Sequence, residues 1–228
     1  MSQGATTLKT ALIAYPKQAA FGRVLPKNKI YEQSGANTRL KDLFVEQVEQ
    51  IVWQHKLAPE TINLPAKPGV PELQIFSIQL KTPDLNLDVL RCIDGAVQFP
   101  IIFEMSFDGR TQVIAAYKRS NELDARRWVL SDYFATAWLP SDIERAAMPL
   151  ALDLGSLYGQ VLHRLIPTPA RSQESLADLV ARVELAAAKR REVEKTKAKL
   201  AKEKQFNRKV EINALLRQLK IELRGLTQ

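Results

Sequence analysis

The spacing of apolar residues changes along this chain, and the change separates predicted strands from predicted helices. An apolar run rich in Ile, Phe and Leu at 73–80 follows a proline-rich connector and predicts a strand. Apolar residues three and four positions apart predict amphipathic helices instead. Before residue 169 this helical spacing occurs over a short segment at 6–14 and in longer segments at 38–56, 83–96 and 152–165.

A β-hairpin is the clearest local prediction. Two apolar runs, PIIFEMSF and TQVIAAYK, flank Asp108-Gly109. Asp-Gly favours a type I′ turn, because that turn needs positive φ at both central positions. The register of a two-residue loop pairs Glu104 with Val113, and strand alternation then places Glu104 and Lys118 on opposite faces of the sheet.

The C-terminal quarter of the chain is predicted to be helical. No Pro or Gly occurs between Ala170 and Gly225. One continuous helix would be about 80 Å long at 1.5 Å per residue, and a break at 205–207 is the alternative. The sequence therefore predicts an α+β fold. It has a small antiparallel, hairpin-based sheet with flanking helices in a body at 1–168, followed by a long basic helical arm at 169–228.

Nearly all of the excess positive charge lies in this arm. The whole chain has a formal net charge of +8, and residues 189–209 hold ten Lys or Arg against three Glu, a net charge of +7. The rest of the chain is close to neutral. A concentrated cationic segment is typical of a surface that binds a polyanion or an acidic partner.

Two interpretations of the basic segment remain open. One is contact with nucleic-acid phosphates through Lys195, Lys197, Lys199, Lys202, Lys204, Arg208 and Lys209. The other is a solvated or protein-binding helix, because the basic residues fall in two bands and only one aromatic residue, Phe206, is interleaved for base stacking. Phe206 and Val210 form an apolar pair four residues apart. With Asn207 and Asn213, this pair favours docking on a surface of this chain's own body. A binding site for an external ligand is the second interpretation.

Motifs for catalysis and cofactor binding are absent from the sequence. There is no glycine-rich phosphate loop, no GxGxxG fingerprint, no GxSxG nucleophile motif and no HExxH zinc motif. The single cysteine, Cys92, and the two histidines, His55 and His163, lie in no metal-ligand spacing. We therefore expect no cofactor, no metal and a non-catalytic protein.

A divergent metal-dependent nuclease is the alternative from a different functional class. Such enzymes commonly hold magnesium with one acidic residue and an acid-x-Lys motif on a neighbouring strand. Asp94, Glu104 and Lys118 are the residues that would supply these catalytic groups. Glu104 is followed by Met105 and Ser106 rather than by x-Lys, and the predicted register turns Lys118 away from Glu104.

The sequence gives no sign of a membrane protein. No apolar run approaches the roughly 20 residues that a membrane-spanning helix needs. The N-terminal segment MSQGATTLKTALIAYP lacks the basic start, long apolar core and cleavage site of a signal peptide. A cytoplasmic protein without a membrane partner is the expectation.

Several segments of the chain resemble a known bacterial family. They are PK at 26–27, IVWQHKLAPETINL at 51–64, ELQIFSIQLK at 72–81, RCIDGAVQFPIIFEM at 91–105, AAYKR at 115–119, LYGQVL at 157–162 and QFNRKVEINALLRQLK at 205–220. QFNRKVEIN is the most specific of them. The family is called domain of unknown function 4391.

The resemblance implies a context rather than an activity, because similar proteins are often encoded near helicase and DNA-methyltransferase genes. Together with the basic arm, it leads to the hypothesis of a non-catalytic accessory or adaptor protein of a bacterial DNA-modification or defence system. The arm would contact protein partners such as a helicase or methyltransferase, and nucleic-acid phosphates as well. A homodimer formed through the C-terminal helix is a third, structural alternative.

Overall fold

The structure is a computed structural model that describes residues 11–121 and 128–228. The chain divides into two compact units, Met1–Pro167 and Thr168–Gln228. No helix in the described ranges is both long and apolar enough to span a membrane.

The first unit contains all of the described strands and the shorter helices. Its strands are β1 (Ile13–Ala14), β2 (Ala20–Val24), β3 (Val48–Leu57), β4 (Leu73–Leu80), β5 (Ile101–Phe107), β6 (Arg110–Ser120), β7 (Trp128–Ala135), β8 (Leu139–Pro140) and β9 (Ala146–Ala147). Its helices are α1 (Lys27–Ser34), α2 (Thr38–Gln47), α3 (Pro59–Ile62), α4 (Leu87–Ala96) and α5 (Leu154–Leu165).

The predicted α+β fold is confirmed, and its sheet is larger than the sequence analysis predicted. The main sheet has seven strands in the order β2-β3-β4-β5-β6-β7, with β8 also paired to β6. It is mixed: β4 and β5 run parallel, and α4 forms the crossover between them. The other neighbours in this sheet are antiparallel. A separate parallel pair joins β1 to β9.

The predicted hairpin is confirmed in position and register. Asp108 and Gly109 both have positive φ, 45° and 68°, as a type I′ turn requires. Glu104 pairs with Val113, as expected from the two-residue loop. The strand at 73–80 has the predicted bounds.

The predicted helix at 38–56 is wrong in its second half. α2 ends at Gln47 and β3 begins at the next residue. The register of β3 against β4 shifts between Val48 and Gln50. This irregularity breaks the two-residue alternation, so Val48 and Ile51, three positions apart, are both buried in the same core cluster. A bulged strand thereby reproduces the three-residue apolar spacing of a helix.

One apolar core lies between the sheet and the helices α2 and α4. Phe44 of α2 and Ile93 of α4 are fully buried there with Phe76 and Phe103 of the sheet. The amino end of α4 is stabilised by an N-cap, because the Asn86 side chain accepts a hydrogen bond from the backbone N–H of Asp88 in the first turn. Because one face of α4 is buried in this core, its carboxyl end lies beside the sheet.

The second unit is a pair of long helices, α6 (Leu176–Lys202) and α7 (Phe206–Thr227). Of the two possibilities that the sequence leaves open, the structure has the break, at residues 203–205. Lys189 of α6 pairs with Glu222 near the end of α7 at 2.9 Å, and Val193 packs with Leu216. The two helices therefore run antiparallel, as a helical hairpin.

Candidate functional site

The turn between the two long helices brings both ends of the basic segment together. Glu203 has an extended backbone, with φ −72° and ψ 135°. Its Oε1 accepts the backbone N–H groups of Lys204 and Gln205, each at 2.8 Å. The last turns of α6 and the first turn of α7 consequently lie at one end of the hairpin. We call this end, residues 195–209, the hairpin tip.

All seven basic residues that were predicted to contact phosphates lie in the hairpin tip and are exposed. Lys197 donates to Glu194 at 2.6 Å, within its own helix. The other six side chains have no hydrogen bond or ion pair with any residue that the structure describes; they are Lys195, Lys199, Lys202, Lys204, Arg208 and Lys209. Glu203, within the tip, lies in electrostatic reach of Arg208 and Lys209 and offsets part of this charge, so the tip keeps a net positive charge.

The basic side chains surround the tip rather than forming a single face. Lys195, Lys199 and Lys202 are spaced by four and three residues, so they share one side of α6. Lys197 lies on a different side of the helix. Arg208 and Lys209 begin the opposite helix. A polyanion that approaches the closed end therefore meets cations from both helices.

The four residues predicted to dock on a protein surface are all exposed. Phe206 is 77 % exposed and Val210 is 54 % exposed, and Asn207 and Asn213 are also exposed. Their docking, on the chain's own body or on an external ligand, stays a prediction. An apolar pair with amides beside it is thus available at the same end of the hairpin as the cations.

A buried arginine ties the open end of the hairpin together. Arg182, 7 % exposed, donates through Nε and Nη2 to the two Glu174 carboxylate oxygens at 2.6 and 2.7 Å. Its remaining N–H groups bind the carbonyls of Leu226 and Pro169, both at 2.9 Å. One guanidinium thus joins α6, the C-terminal end of α7 and the segment before α6. Arg182 follows Leu179 by three residues and so lies on the buried side of α6. This spacing is the sequence signal that could have indicated a buried arginine.

This clamp predicts acid sensitivity. The hydrogen bonds from Arg182 lower the pKa of Glu174 to about 2, against an ordinary value of 4.5. Between these values the unfolded chain binds more protons than the folded chain, so the free energy of unfolding falls as the pH falls from about 4.5 to 2. We expect Glu174→Gln to flatten this part of the curve, measured by denaturant unfolding monitored by circular dichroism. An equal acid dependence in Glu174→Gln and wild type would contradict the clamp.

Two of the three residues that the alternative nuclease hypothesis requires, Asp94 and Lys118, lie together as a buried ion pair. Lys118 Nζ lies 3.7 Å from Asp94 Oδ1, and the two side chains are 1 % and 2 % exposed. Lys118 also donates to the carbonyls of Asp94, at 2.5 Å, and Val97, at the carboxyl end of α4. Tyr133 Oη donates to Asp94 Oδ2 at 2.5 Å. Burial raises the pKa of Asp94 to about 6, and burial lowers the pKa of Lys118.

The third nuclease residue, Glu104, lies on the other face of the sheet. Its strand neighbours Phe103 and Met105 are in the core beneath α4, so alternation points Glu104 the opposite way. The Arg145 guanidinium donates hydrogen bonds to both carboxylate oxygens of Glu104, at 2.9 and 2.7 Å. The structure therefore does not bring the three residues together. In the described ranges no group of three or more His, Cys, Asp or Glu side chains could hold a metal ion.

Sequence reasoning missed the polar groups around this Glu104–Arg145 pair. Arg145 also binds the carbonyl of Ile13 at 3.0 Å. The rings of Tyr15 and His55 lie 4.9 Å apart. Tyr15 Oη and His55 Nδ1 are buried without a hydrogen-bond partner among the described residues. Burial raises the pKa of Tyr15, and the Glu104 charge raises it further. Burial lowers the pKa of His55, and the Glu104 charge partly offsets this lowering.

Comparison with known proteins places the chain in a family. The family model described as Domain of unknown function (DUF4391) matches residues 13–223. The chain belongs to this family. The resemblance noted in its sequence segments is thus confirmed, and the DUF4391 match includes both compact units. No curated protein and no solved structure matches the chain.

Proposed function

We propose that this protein is a non-catalytic accessory subunit of a bacterial DNA-modification or defence system, and that its hairpin tip contacts nucleic-acid phosphates. The observation that carries the proposal is the set of six exposed basic side chains that share one end of the hairpin and lack an ion-pair partner in the described ranges. Like charges four residues apart, such as Lys195 and Lys199, repel by a few tenths of a kcal/mol. A polyanion would relieve this repulsion.

The backbone at the tip supplies N–H donors. α7 begins there with Gln205 at its N-cap, whose side chain makes no capping hydrogen bond. The first N–H groups of a helix have no partner within the helix, while the partial positive charge of this amino end is offset by the partial negative charge at the carboxyl end of α6 beside it. These donors and the basic side chains together favour an anionic ligand such as a phosphate.

An adaptor must also hold a protein, and the first turns of α7, which begin in the tip, offer a surface for this. Phe206 and Val210 are exposed apolar side chains one turn apart on α7. Aromatic anchors of this kind are typical of protein interfaces, with polar groups around them. The partner is a protein of the same system, such as a helicase or a methyltransferase.

A matched pair of variants tests the phosphate contacts. One variant, Lys199→Gln/Lys202→Gln/Lys204→Gln/Lys209→Gln, removes four charges from the tip. The control, Arg190→Gln/Arg191→Gln/Arg217→Gln/Lys220→Gln, removes four exposed charges of the same unit outside the tip. Both have the same net charge, so a general effect of charge would affect them equally.

We expect the tip variant alone to lose salt-dependent binding to duplex DNA. Each phosphate contact contributes about −0.9 to the slope of log Kobs against log salt concentration, so the tip variant should flatten the slope by up to about 3 to 4. Fluorescence anisotropy between about 50 and 200 mM salt measures it. Equal slopes for wild type and tip variant, or equal losses in the two variants, would contradict the proposal.

A further inference from the structure

A cleft in the first unit has the size of a small-molecule site. It lies beside the amino-terminal ends of β4 and β5 and has a volume of about 570 Å³. Clefts that bind small molecules commonly have volumes of about 300–1,000 Å³ and an apolar lining with a few polar groups. All residues that line the cleft belong to the first unit.

The floor of the cleft is an aromatic platform. Trp53 of β3 and Phe76 of β4 line it, with ring centroids 6.3 Å apart. The indole Nε1 of Trp53 donates to the carbonyl of His55 at 3.0 Å, and Phe21 packs on the same ring at a centroid distance of 4.2 Å. These contacts fix the orientation of an indole that remains partly exposed. A fixed, accessible aromatic ring is suited to stacking on a planar ligand.

The rim of the cleft is cationic. Arg23 of β2 and Lys29 of α1 line it, and both are exposed. Neither side chain has a hydrogen bond or ion pair with a residue in the described ranges. No Asp or Glu is among the described residues that line the cleft. The side-chain amides of Gln33 and Gln98 add both donors and acceptors.

We propose that this cleft binds a nucleotide, with the base stacked on Trp53 and the phosphate beside Arg23 and Lys29. The amides of Gln33 and Gln98 would hydrogen-bond the edge of the base. The same chemistry is present in a free nucleotide and in one unit of a single strand. The proposal goes beyond the phosphate contacts of the hairpin tip, because this site lies in the other unit and selects for an aromatic base as well as a charge.

Calorimetric titration of the full chain with adenosine 5′-monophosphate tests the proposal. We expect binding of the nucleotide and at least about tenfold weaker binding of adenosine, which lacks the phosphate, and of ribose 5-phosphate, which lacks the base. A pentadeoxyadenylate distinguishes the source of the ligand: tighter binding than the mononucleotide supports a single strand, and equal or weaker binding supports a free nucleotide. Failure of both the mononucleotide and the pentamer to bind at millimolar concentration would overturn the proposal.

Variants connect the binding to the cleft. Trp53→Leu and Arg23→Gln/Lys29→Gln should each weaken nucleotide binding about tenfold or more, and the second changes only exposed residues, so that it preserves the fold. The control Lys17→Gln/Arg110→Gln removes two exposed charges elsewhere on the same unit and should bind like wild type. An unchanged affinity in Arg23→Gln/Lys29→Gln, or an equal loss in the control, would overturn the proposal. The hairpin-tip variant should still bind the mononucleotide, which separates this outcome from that of the proposed function.

Discussion

Replacement of Lys118 by Met is expected to lower the free energy of unfolding by about 3–5 kcal/mol, because it leaves a buried carboxylate without its cation. Asp94 is 3 % exposed and Lys118 is 1 % exposed. The ammonium group also satisfies two carbonyls at the carboxyl end of α4, and the variant leaves both without this donor. Denaturant unfolding at pH 7 measures the loss.

The second substitution of a double-mutant cycle distinguishes a buried charge pair from simple loss of packing. Asp94→Asn in the Lys118→Met background removes the uncompensated charge, so the double variant should recover most of the loss. If the two single losses are merely additive, the interpretation of Asp94 and Lys118 as a structural ion pair is wrong.

The pH adds an independent readout for the same pair. The folded-state pKa of Asp94 is already raised to about 6 by burial, above an ordinary value of 3.8, and removal of the Lys118 charge raises it further. Protonation in the folded state neutralises the buried carboxyl group. The deficit of Lys118→Met relative to wild type should therefore be largest well above pH 6, shrink as the pH falls toward 6, and stay constant below pH 6, where Asp94 is protonated in both folded proteins.

Leu219→Ala is expected to weaken the second unit and its binding surface together. Leu219 is 3 % exposed and packs with Val193 and Leu216 in a small core between α6 and α7. Truncation of a buried leucine commonly costs about 2–5 kcal/mol. The second unit has few fully buried apolar residues in this core, so the loss should separate α6 from α7. Loss of helical circular dichroism below the melting temperature of the sheet is the expected signature.

Binding provides the second measurement on this variant. When α6 and α7 separate, the cations of the two helices are no longer held at one end, and affinity for duplex DNA should fall although no basic residue has changed. Leu215→Ala is the control, because Leu215 neighbours the same core residue in sequence and is 51 % exposed; it should change stability by less than about 0.5 kcal/mol. Full DNA affinity in a Leu219→Ala protein that has lost its hairpin would show that the arrangement of the tip is irrelevant.

The parts of the fold that were predictable from sequence are those decided by neighbouring residues. The hairpin at Asp108-Gly109 follows from the turn dipeptide, and the α4 helix follows from its apolar spacing, although it begins at Leu87 rather than at residue 83. β3 was missed because a register shift inside the strand places Val48 and Ile51 on one face. The parallel pairing of β4 with β5 was missed because no local signal specifies which strands meet across a crossover.

The residues of the candidate site also divide into those that the sequence indicated and those that it did not. The basic residues of the hairpin tip were found, since charge is visible in the sequence without any structure. The partners of Glu104 and Arg182 were not found, because Arg145 is 41 residues from Glu104 and the Leu226 carbonyl is 44 residues from Arg182. The aromatic cleft was also missed, since Trp53 lies in the strand that the periodicity assigned to a helix.

The parallel contact between β4 and β5 has a practical consequence for shortened versions of the protein. It joins an antiparallel half formed by β2, β3 and β4 to an antiparallel half formed by β5, β6 and β7. A truncation inside α4 would free the edges of two of the most deeply buried strands, and open apolar edges promote aggregation. Any soluble fragment of the first unit must therefore retain residues 20–135 as one piece.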